Sequence, residues 1–282
     1  MKTAQILKLP LSNYFSNLMK AMLLLVVVLF VTGLNIQGKA PENQPISDTL
    51  TNHAYHAGEF LKYKVYYGWL NGGTALLSLT EKQYNGKTVH HAKAYAKTTG
   101  MADNLFKVRD IYESYMEPVN GLSIKSIRNI KEGKYTDYNE VIYDQKGSKV
   151  TSTKSGVKKV PSSMRDIIAA FYYLRRVNFD KMKKDQTVLI NTYFEDNLYP
   201  LNLKYKGKEN IKTSLGTIKC VKLVPIVITG GVFDDAEKDL TIWISDDKNH
   251  IPVRIEVDFI VGSFKIDLIA HTGLRNTLAV VK

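Results

Sequence analysis

Apolar and polar residues alternate along most of this 282-residue chain, and this period of two limits its fold more than any other feature. In residues 59–69 the apolar positions are Leu61, Tyr63, Val65, Tyr67 and Trp69. Such alternation is typical of a strand with one buried face. It recurs in residues 87–99, 108–116, 122–132, 135–144, 186–195, 198–206, 217–228, 239–245, 252–261 and 264–271. The sequence therefore predicts a mainly β chain with one curved antiparallel sheet.

Two hairpins have enough turn signal for a register prediction. In the first, a three-residue loop at 71–73 would place Tyr67 opposite Leu77, so that both apolar rows share a face. In the second, a type II′ turn at Gly262-Ser263 would pair Val261 with Phe264 and align the row that contains Val257 and Phe259.

One segment has the spacing of a helix instead of a strand. After Pro161, the residues Ile167, Ile168, Phe171 and Leu174 fall on one helical face, and Ser162 or Ser163 can cap the first turn. We expect a helix at about 163–176, packed on the concave side of the sheet so that its apolar stripe is covered.

The N-terminus has the pattern of an export signal. Lys2, Lys8 and Lys20 precede the apolar run Ala21–Val31, which is shorter than the roughly 20 residues of a membrane-spanning helix. We expect a signal peptide in residues 1–40, cleaved at about 33–40, with an uncleaved inner-membrane anchor as the alternative. A polar linker would follow at 41–57, a single β domain at 58–275 and a C-terminal tail at 276–282.

The charge and the cysteine content of the chain limit which classes of binding partner are expected. Residues 41–282 hold 35 basic and 27 acidic residues, a formal charge of +8, and the basic residues are scattered. This favours an anionic membrane surface or glycan over nucleic acid. The single cysteine, Cys220, can form no disulfide within the chain and is interpreted as a core residue. The expected compartment is the periplasm of a Gram-negative bacterium.

The chain lacks the common enzyme motifs, among them G-x-S-x-G, G-x-G-x-x-G, C-x-x-C and H-E-x-x-H. His90 and His91 are consecutive in a strand and would point to opposite faces, so no metal site is predicted. The acidic pairs at 195–196, 234–235 and 246–247 fit ordinary turns. No cofactor or catalytic residue is predicted, and enzymatic activity is less expected than binding.

An apolar groove is the main candidate site. On an open sheet, aromatic and aliphatic residues of the concave face could bind a lipid or another amphiphile. The candidate residues are Tyr67, Trp69, Leu77, Trp243, Val257 and Phe259. On a closed sheet the same residues would be core.

Four segments, in this order, resemble the exported-protein family called domain of unknown function 3108. They are GEFLKYKVYYGWLNGGTALLSL at 58–79, DIIAAFYYLR at 166–175, LGTIKCVKLVP at 215–225 and LTIWISDDKNHIPVRIE at 240–256. The resemblance implies an open or half β-barrel around one helix, with the YmcC-like fold and a distant likeness to periplasmic lipoprotein carriers. It implies no established reaction.

The family-like positions of this chain include polar residues that could pair inside the barrel, namely Glu59, Arg175, Asp246 and Arg254, and also Gly58, Gly216, Trp243 and Pro252. Three functional hypotheses remain open. The favoured one is a non-catalytic periplasmic protein that binds or carries an amphiphilic envelope component, such as a lipid, lipoprotein or glycolipid. The alternatives are an enzyme acting on envelope glycans or lipids, and a structural protein with an envelope protein partner.

The short apolar run predicts that the signal is removed. Intact-mass measurement of protein recovered from the periplasm should show the loss of about 33 to 40 residues. A full-length species found only in the membrane fraction would favour the anchor instead.

Overall fold

In a computed structural model the described residues are 50–226, 228–229, 232–233, 240–258 and 263–281. The predicted signal peptide, most of the predicted linker and Phe259 lie outside them.

A single antiparallel sheet dominates the described residues. Its strands are β1 (Phe60–Tyr67), β2 (Leu70–Tyr84), β3 (Lys87–Thr98), β4 (Arg109–Met116), β5 (Ser123–Glu132), β6 (Tyr135–Asp144), β7 (Lys149–Ser152), β8 (Gly156–Lys159), β9 (Thr187–Phe194), β10 (Asn197–Thr213), β11 (Gly216–Pro225), β14 (Leu240–Ser245), β15 (Pro252–Asp258) and β16 (Ser263–Thr272). Two further short strands, β12 (Ile228–Thr229) and β13 (Val232–Phe233), pair only with each other.

The 14-stranded sheet is open. Its order is β8-β7-β6-β5-β4-β3-β2-β1-β16-β15-β14-β11-β10-β9, so β8 and β9 form its two edges. The predicted curved antiparallel sheet, wrapped as an open barrel around one helix, is confirmed. The helices are α1 (Gly100–Leu105) and α2 (Ile167–Leu174), with a 3₁₀ turn at Phe179–Lys181.

Both predicted hairpin registers are wrong. The β1–β2 turn is Gly68-Trp69, with Tyr67 opposite Leu70, because Gly68 takes the positive φ (54°) and a bulge beside Val65 absorbs the extra residue. In the last hairpin Phe264 pairs with Val257 instead of Val261. In this last hairpin the error is four residues, and alternation cannot detect an even slip because every side chain keeps its face.

Helix α2 begins later than predicted, because Asp166 is the cap. The Asp166 carboxylate accepts hydrogen bonds from the backbone N–H groups of Ile168 and Ala169 at 2.9 and 3.0 Å. The hydroxyls of Ser114 and Ser123 also donate to it, each at 2.6 Å. The helix start is thus fixed to the end of β4 and the start of β5, inside the curve of the sheet.

The other end of α2 is held by a buried ion pair. The Arg175 guanidinium donates to both Glu59 carboxylate oxygens at 2.6 Å, and its Nε donates to the carbonyl of Asn249 at 2.9 Å. Burial disfavours the charged guanidinium, but the Glu59 carboxylate raises the pKa of Arg175 above its usual value. This pair joins the helix to the residue before β1.

The two ends of α2 lie at the same end of the barrel. Strands β1 and β4 are antiparallel to each other, so the start of β1, near Glu59, and the end of β4, near Ser114, share one edge. We call this the helix end, and the opposite edge the far end. Seven of the eight α2 residues are buried, and Phe171 is the exception. The helix therefore fills the helix end of the barrel.

Part of the predicted linker belongs to the core, and part of the predicted tail packs against it. Tyr55 is 1 % exposed, its hydroxyl accepts a hydrogen bond from Arg176 Nε at 2.8 Å, and its ring lies 4.8 Å from that of Tyr172. In the tail, the carbonyl of Ala279 accepts a hydrogen bond from Lys219 N–H at 3.0 Å. These segments have no periodicity because single residues, not repeating faces, make the contacts.

The Glu59 side chain should be essential for stability. Replacing Glu59 with Ala leaves the Arg175 charge buried without its partner, and we expect a loss of about 3–5 kcal/mol in the free energy of unfolding, measured with urea. As a control, Lys149→Ala breaks the exposed pair with Asp144 and should cost less than about 1 kcal/mol. Equal effects of the two variants would contradict this assignment.

Candidate functional site

The inner face of β1–β4 carries a partly uncovered apolar surface towards the far end. Its members all face the barrel interior and are half-buried, and we call them the concave wall: Tyr67, Ala75, Leu77, Ala94, Ala96 and Tyr112. Towards the helix end, the next inward-facing residues, Leu79 and Ala92, are fully buried. The wall is thus the part of the inner face that α2 does not cover.

Strand register brings the wall together. Leu77 lies opposite Ala94, and Ala94 lies opposite Tyr112. Ala75 lies opposite Ala96 in the next row. Paired residues of antiparallel strands share a face, so these side chains are neighbours on the inner face. An alanine-rich inner face leaves room that larger residues would fill.

The wall ends in a polar region. Tyr112 lies opposite Arg128 on β5, and both line a cavity of about 30 Å³. Other polar residues around this cavity are Ser126, Asn139, Tyr143, Asp166, Tyr193 and Glu195. A space of this size holds about one or two water molecules and no acyl chain. The inner face therefore combines an apolar wall with a small polar cavity at its side.

Side chains close the seam between the two sheet edges. The β9–β10 turn, Glu195-Asp196, has positive φ at both residues (47° and 61°), as a type I′ turn requires. Glu195 accepts a hydrogen bond of 2.9 Å from Arg128. Arg128 also pairs with Asp137. The Asp196 carboxylate accepts from Asn139 Nδ2 at 3.2 and 3.3 Å.

A buried carboxyl group borders the wall. Asp110 lies opposite Ala96, is 0 % exposed and accepts a hydrogen bond from the Lys131 N–H at 2.7 Å. Burial raises the pKa of Asp110 to about 7, and the neighbouring Glu132 carboxylate adds to the rise, against the lowering effects of the Lys131 hydrogen bond and of Arg128. This group changes charge close to neutral pH.

The six predicted groove residues are not all on one face. Tyr67 and Leu77 belong to the concave wall, and Val257 borders it through its partner Phe264, whose ring lies 4.9 Å from that of Tyr67. Trp69 is 88 % exposed in the β1–β2 turn. Phe259 lies outside the described residues.

Trp243 lies on the outer face of the sheet. It pairs with Arg254 and belongs to a separate cluster with Cys220 and Val253, and its indole N–H donates to Glu209. Its neighbours Ile242 and Ile244 are the inward-facing residues of β14. Alternation along β14 already sets Trp243 on the face of Thr241 and Ser245, opposite the apolar row of Leu240, Ile242 and Ile244, and this signal could have placed it outside.

The four predicted polar residues form three separate pairs. Glu59 binds Arg175 in the interior, Arg254 binds Asp267 through two hydrogen bonds of 2.5 and 2.9 Å, and Asp246 binds Lys208 at 2.8 Å. Glu59 and Asp246 have different partners and share no site. The structure thus gives these residues ion-pair roles.

Sequence reasoning missed the alanines of the wall and Arg128. One signal could have identified the alanines. Small residues recur at alternate positions in two neighbouring strands, Ala75 on β2 and Ala92, Ala94 and Ala96 on β3. Arg128 gave no such signal, because its partners Asp137 and Glu195 come from separate hairpins.

Two absences concern only the part of the chain that the structure describes. Within it, no helix combines the length and the apolar character that a bilayer crossing requires. Within it, too, no three His, Cys, Asp or Glu side chains are grouped closely enough to bind a metal ion.

Comparison with known proteins gives a family match and several fold matches. The family model described as "Protein of unknown function (DUF3108)" matches residues 62–269. A β-barrel-like protein of domain of unknown function DUF1849 from Brucella abortus is 8 % identical, with a TM-score of 0.52 over 78 % of this chain and 99 % of that chain. A protein with a YmcC-like fold from Bacteroides fragilis is also 8 % identical, with a TM-score of 0.32 over 79 % and 99 %. No curated protein matches the sequence significantly.

The raised pKa of Asp110 predicts a pH-dependent stability. Between the ordinary value of 3.8 and about 7, the folded state binds more protons than the unfolded state. The contribution of Asp110 to the free energy of unfolding therefore falls as the pH rises through this window, by about 1.4 kcal/mol for each pH unit. Asp110→Asn should remove this fall, as measured by urea unfolding at pH 4, 5.5, 7 and 8.

The control is Asp144→Asn. A hydrogen bond from the Gly147 N–H lowers the pKa of Asp144 on an exposed turn, so its contribution is lost only below its ordinary value of 3.8. This variant should keep the slope of the wild type between pH 4 and 8. An unchanged slope in Asp110→Asn would refute the assignment.

Proposed function

We propose that this chain, which belongs to the family of proteins of unknown function DUF3108, is an exported, non-catalytic protein that binds an amphiphilic component of the cell envelope. The observation that best supports this proposal is the concave wall, an inward-facing apolar surface that remains half-buried after α2 has packed. Apolar surface on a concave face is the usual lining of a ligand site.

The wall fits the apolar part of such a ligand. Ala75, Leu77, Ala94 and Ala96 offer carbon surface without polar atoms in their side chains. An acyl or prenyl chain along the wall would bury apolar area, at about 25 cal/mol for each Å² removed from water. The ligand would lie along the wall, because the cavity beside it, at about 30 Å³, is too small to hold a chain.

The polar region beside the concave wall fits the polar head of such a ligand. Arg128 keeps 15 % of its side chain exposed and lies directly beside Tyr112, where the wall ends. Its guanidinium is already paired with Glu195 and Asp137, so this region offers hydrogen-bonding groups instead of an unpaired positive charge. An amphiphile with a polar head and an apolar tail would match the order of polar and apolar residues along the sheet.

The N-terminal sequence supports the cellular place of this function. Three lysines and the apolar run Ala21–Val31 have the pattern of an export signal. An exported protein of a Gram-negative cell works between two membranes, where amphiphiles need a protein to shield their chains.

An enzyme is the second candidate, and one observation favours it. Asp110, with a pKa of about 7 and Glu132 beside it, has the acidity of a general acid. However, Asp110 is fully buried, and a general acid must reach the reacting atoms of its substrate. Binding therefore accounts for more of the geometry than catalysis does.

Filling the wall should remove the ligand. In Ala75→Phe, a large side chain covers part of the wall, and we expect bound amphiphile to fall about tenfold or more, since tenfold corresponds to about 1.4 kcal/mol of binding free energy. Native mass spectrometry and lipid extraction of protein purified from its own envelope measure the occupancy.

Thr74→Phe is the matched control, because Thr74 is the preceding residue of β2 and points to the outer face. It should leave the occupancy unchanged, as should Trp243→Ala on the outer face. An empty wild-type protein, or an equal loss in Ala75→Phe and Thr74→Phe, would refute the proposal.

A further inference from the structure

Large apolar side chains protrude into solvent at the far end of the barrel. Trp69 is 88 % exposed, Met101 76 %, Leu105 62 % and Leu70 40 %. Scattered exposed apolar residues are common, but a group of four on adjacent turns marks an interaction surface. We call these four residues the rim.

Topology brings the rim together. Strands β1 and β3 both pair antiparallel with β2, so they run in the same direction and end at the same edge. The β1–β2 turn carries Trp69 and Leu70, and α1, directly after β3, carries Met101 and Leu105. A hydrogen bond of 3.3 Å from the Thr99 N–H to the Gly72 carbonyl holds the two connections side by side.

The surroundings of the rim are basic. Lys107 follows α1, and its carbonyl accepts a hydrogen bond of 2.8 Å from the Gly133 N–H, which places the exposed Lys134 next to it. Below Trp69, the Tyr66 ring lies between Lys64 and Lys265, at 5.2 and 5.0 Å.

Carboxyl groups also lie at this end, and two of the described ones, Asp110 and Glu132, are buried. Asp103 in α1 is neutralised by Arg109, which donates to it at 2.7 and 3.0 Å. Asp258 is exposed at the end of β15. Among the described rim and its neighbours, positive charge therefore exceeds negative charge.

We propose that the rim docks on the surface of an anionic phospholipid bilayer. Tryptophan and long apolar side chains enter the boundary between headgroups and acyl chains, and flanking lysines bind the anionic headgroups. A second copy of this chain fits less well, because a rim-to-rim contact would bring Lys107 and Lys134 of both copies together.

This docking would place the concave wall towards the membrane. The wall lies on the inner face at the far end, on the strands whose connections carry the rim. Docking goes beyond the binding of an amphiphile, since a protein with an empty wall can still dock. The docking test measures the fluorescence emission of Trp69 in the presence of vesicles. The ligand-binding test measures the amount of bound amphiphile in the absence of vesicles.

The test uses the full chain with Trp243→Phe, so that Trp69 is its only tryptophan. Vesicles of phosphatidylglycerol and phosphatidylethanolamine should shift the Trp69 emission to shorter wavelength, and brominated acyl chains should quench it. Because the apolar run Ala21–Val31 can itself bind lipid, sedimentation of the protein is not the readout. The emission of Trp69 reports the rim alone.

Matched variants separate the rim from other contacts. Met101→Ser with Leu105→Ser should reduce the quenching strongly, and Val119→Ser should not, because Val119 is equally exposed (84 %) at the helix end, between β4 and β5. Lys107→Glu with Lys134→Glu should weaken binding to anionic vesicles by roughly tenfold or more.

Three results would overturn the docking proposal. The first is an unchanged Trp69 emission with vesicles present, whether or not the protein sediments with them. The second is equal quenching in vesicles of phosphatidylcholine alone, which would remove the role of the lysines. The third is a concentration-dependent shift without vesicles, which would assign the rim to self-association.

Discussion

The buried pair of Glu59 and Arg175 fixes the arrangement on which the rest of the fold depends. Two charges in the interior are tolerated only when they meet with good geometry, so the end of α2 must lie beside the start of β1. Asp166 sets the other end through Ser114 and Ser123. With both ends fixed at one edge, an eight-residue helix cannot cover the whole inner face, and the concave wall is the part left over.

Much of the fold follows from the sequence because one physical pattern, alternation, runs through nearly every strand. It predicted the curved antiparallel sheet, whereas the helix was predicted from the helical spacing after Pro161 and the open barrel from the family resemblance. Alternation could not fix the register of the last hairpin, since a slip by an even number of residues leaves every face unchanged. Trp69 continues the alternation of β1 in sequence, yet the turn at Gly68 takes it out of the strand.

The site was less accessible to sequence reasoning than the fold. Tyr67 and Leu77 could be placed on the wall from their strands alone, and Val257 beside it. Half of the wall consists of small residues, Ala75, Ala94 and Ala96. Some of the large aromatic residues predicted for the groove, such as Trp243, lie on the other face of the sheet. The wall depends on the register of neighbouring strands, and its polar border depends on side chains such as Arg128 that meet across hairpins distant in sequence.

The open sheet also determines which contacts close the barrel between its two edge strands, β8 and β9. Among the described residues, no ladder of backbone hydrogen bonds joins β8 directly to β9. The border is closed by hydrogen bonds of Glu195 and Asp196 with Arg128, Asn139 and Lys158, and by a buried apolar cluster in which the Tyr143 and Tyr193 rings meet. The polar contacts can be exchanged for water, but opening the border also exposes the apolar cluster, so packing and hydrogen bonding together set the cost of opening. Arg128 lies at this seam and at the polar end of the wall. The contacts that close the barrel and the polar end of the wall therefore share one residue, Arg128, and its replacement would affect both.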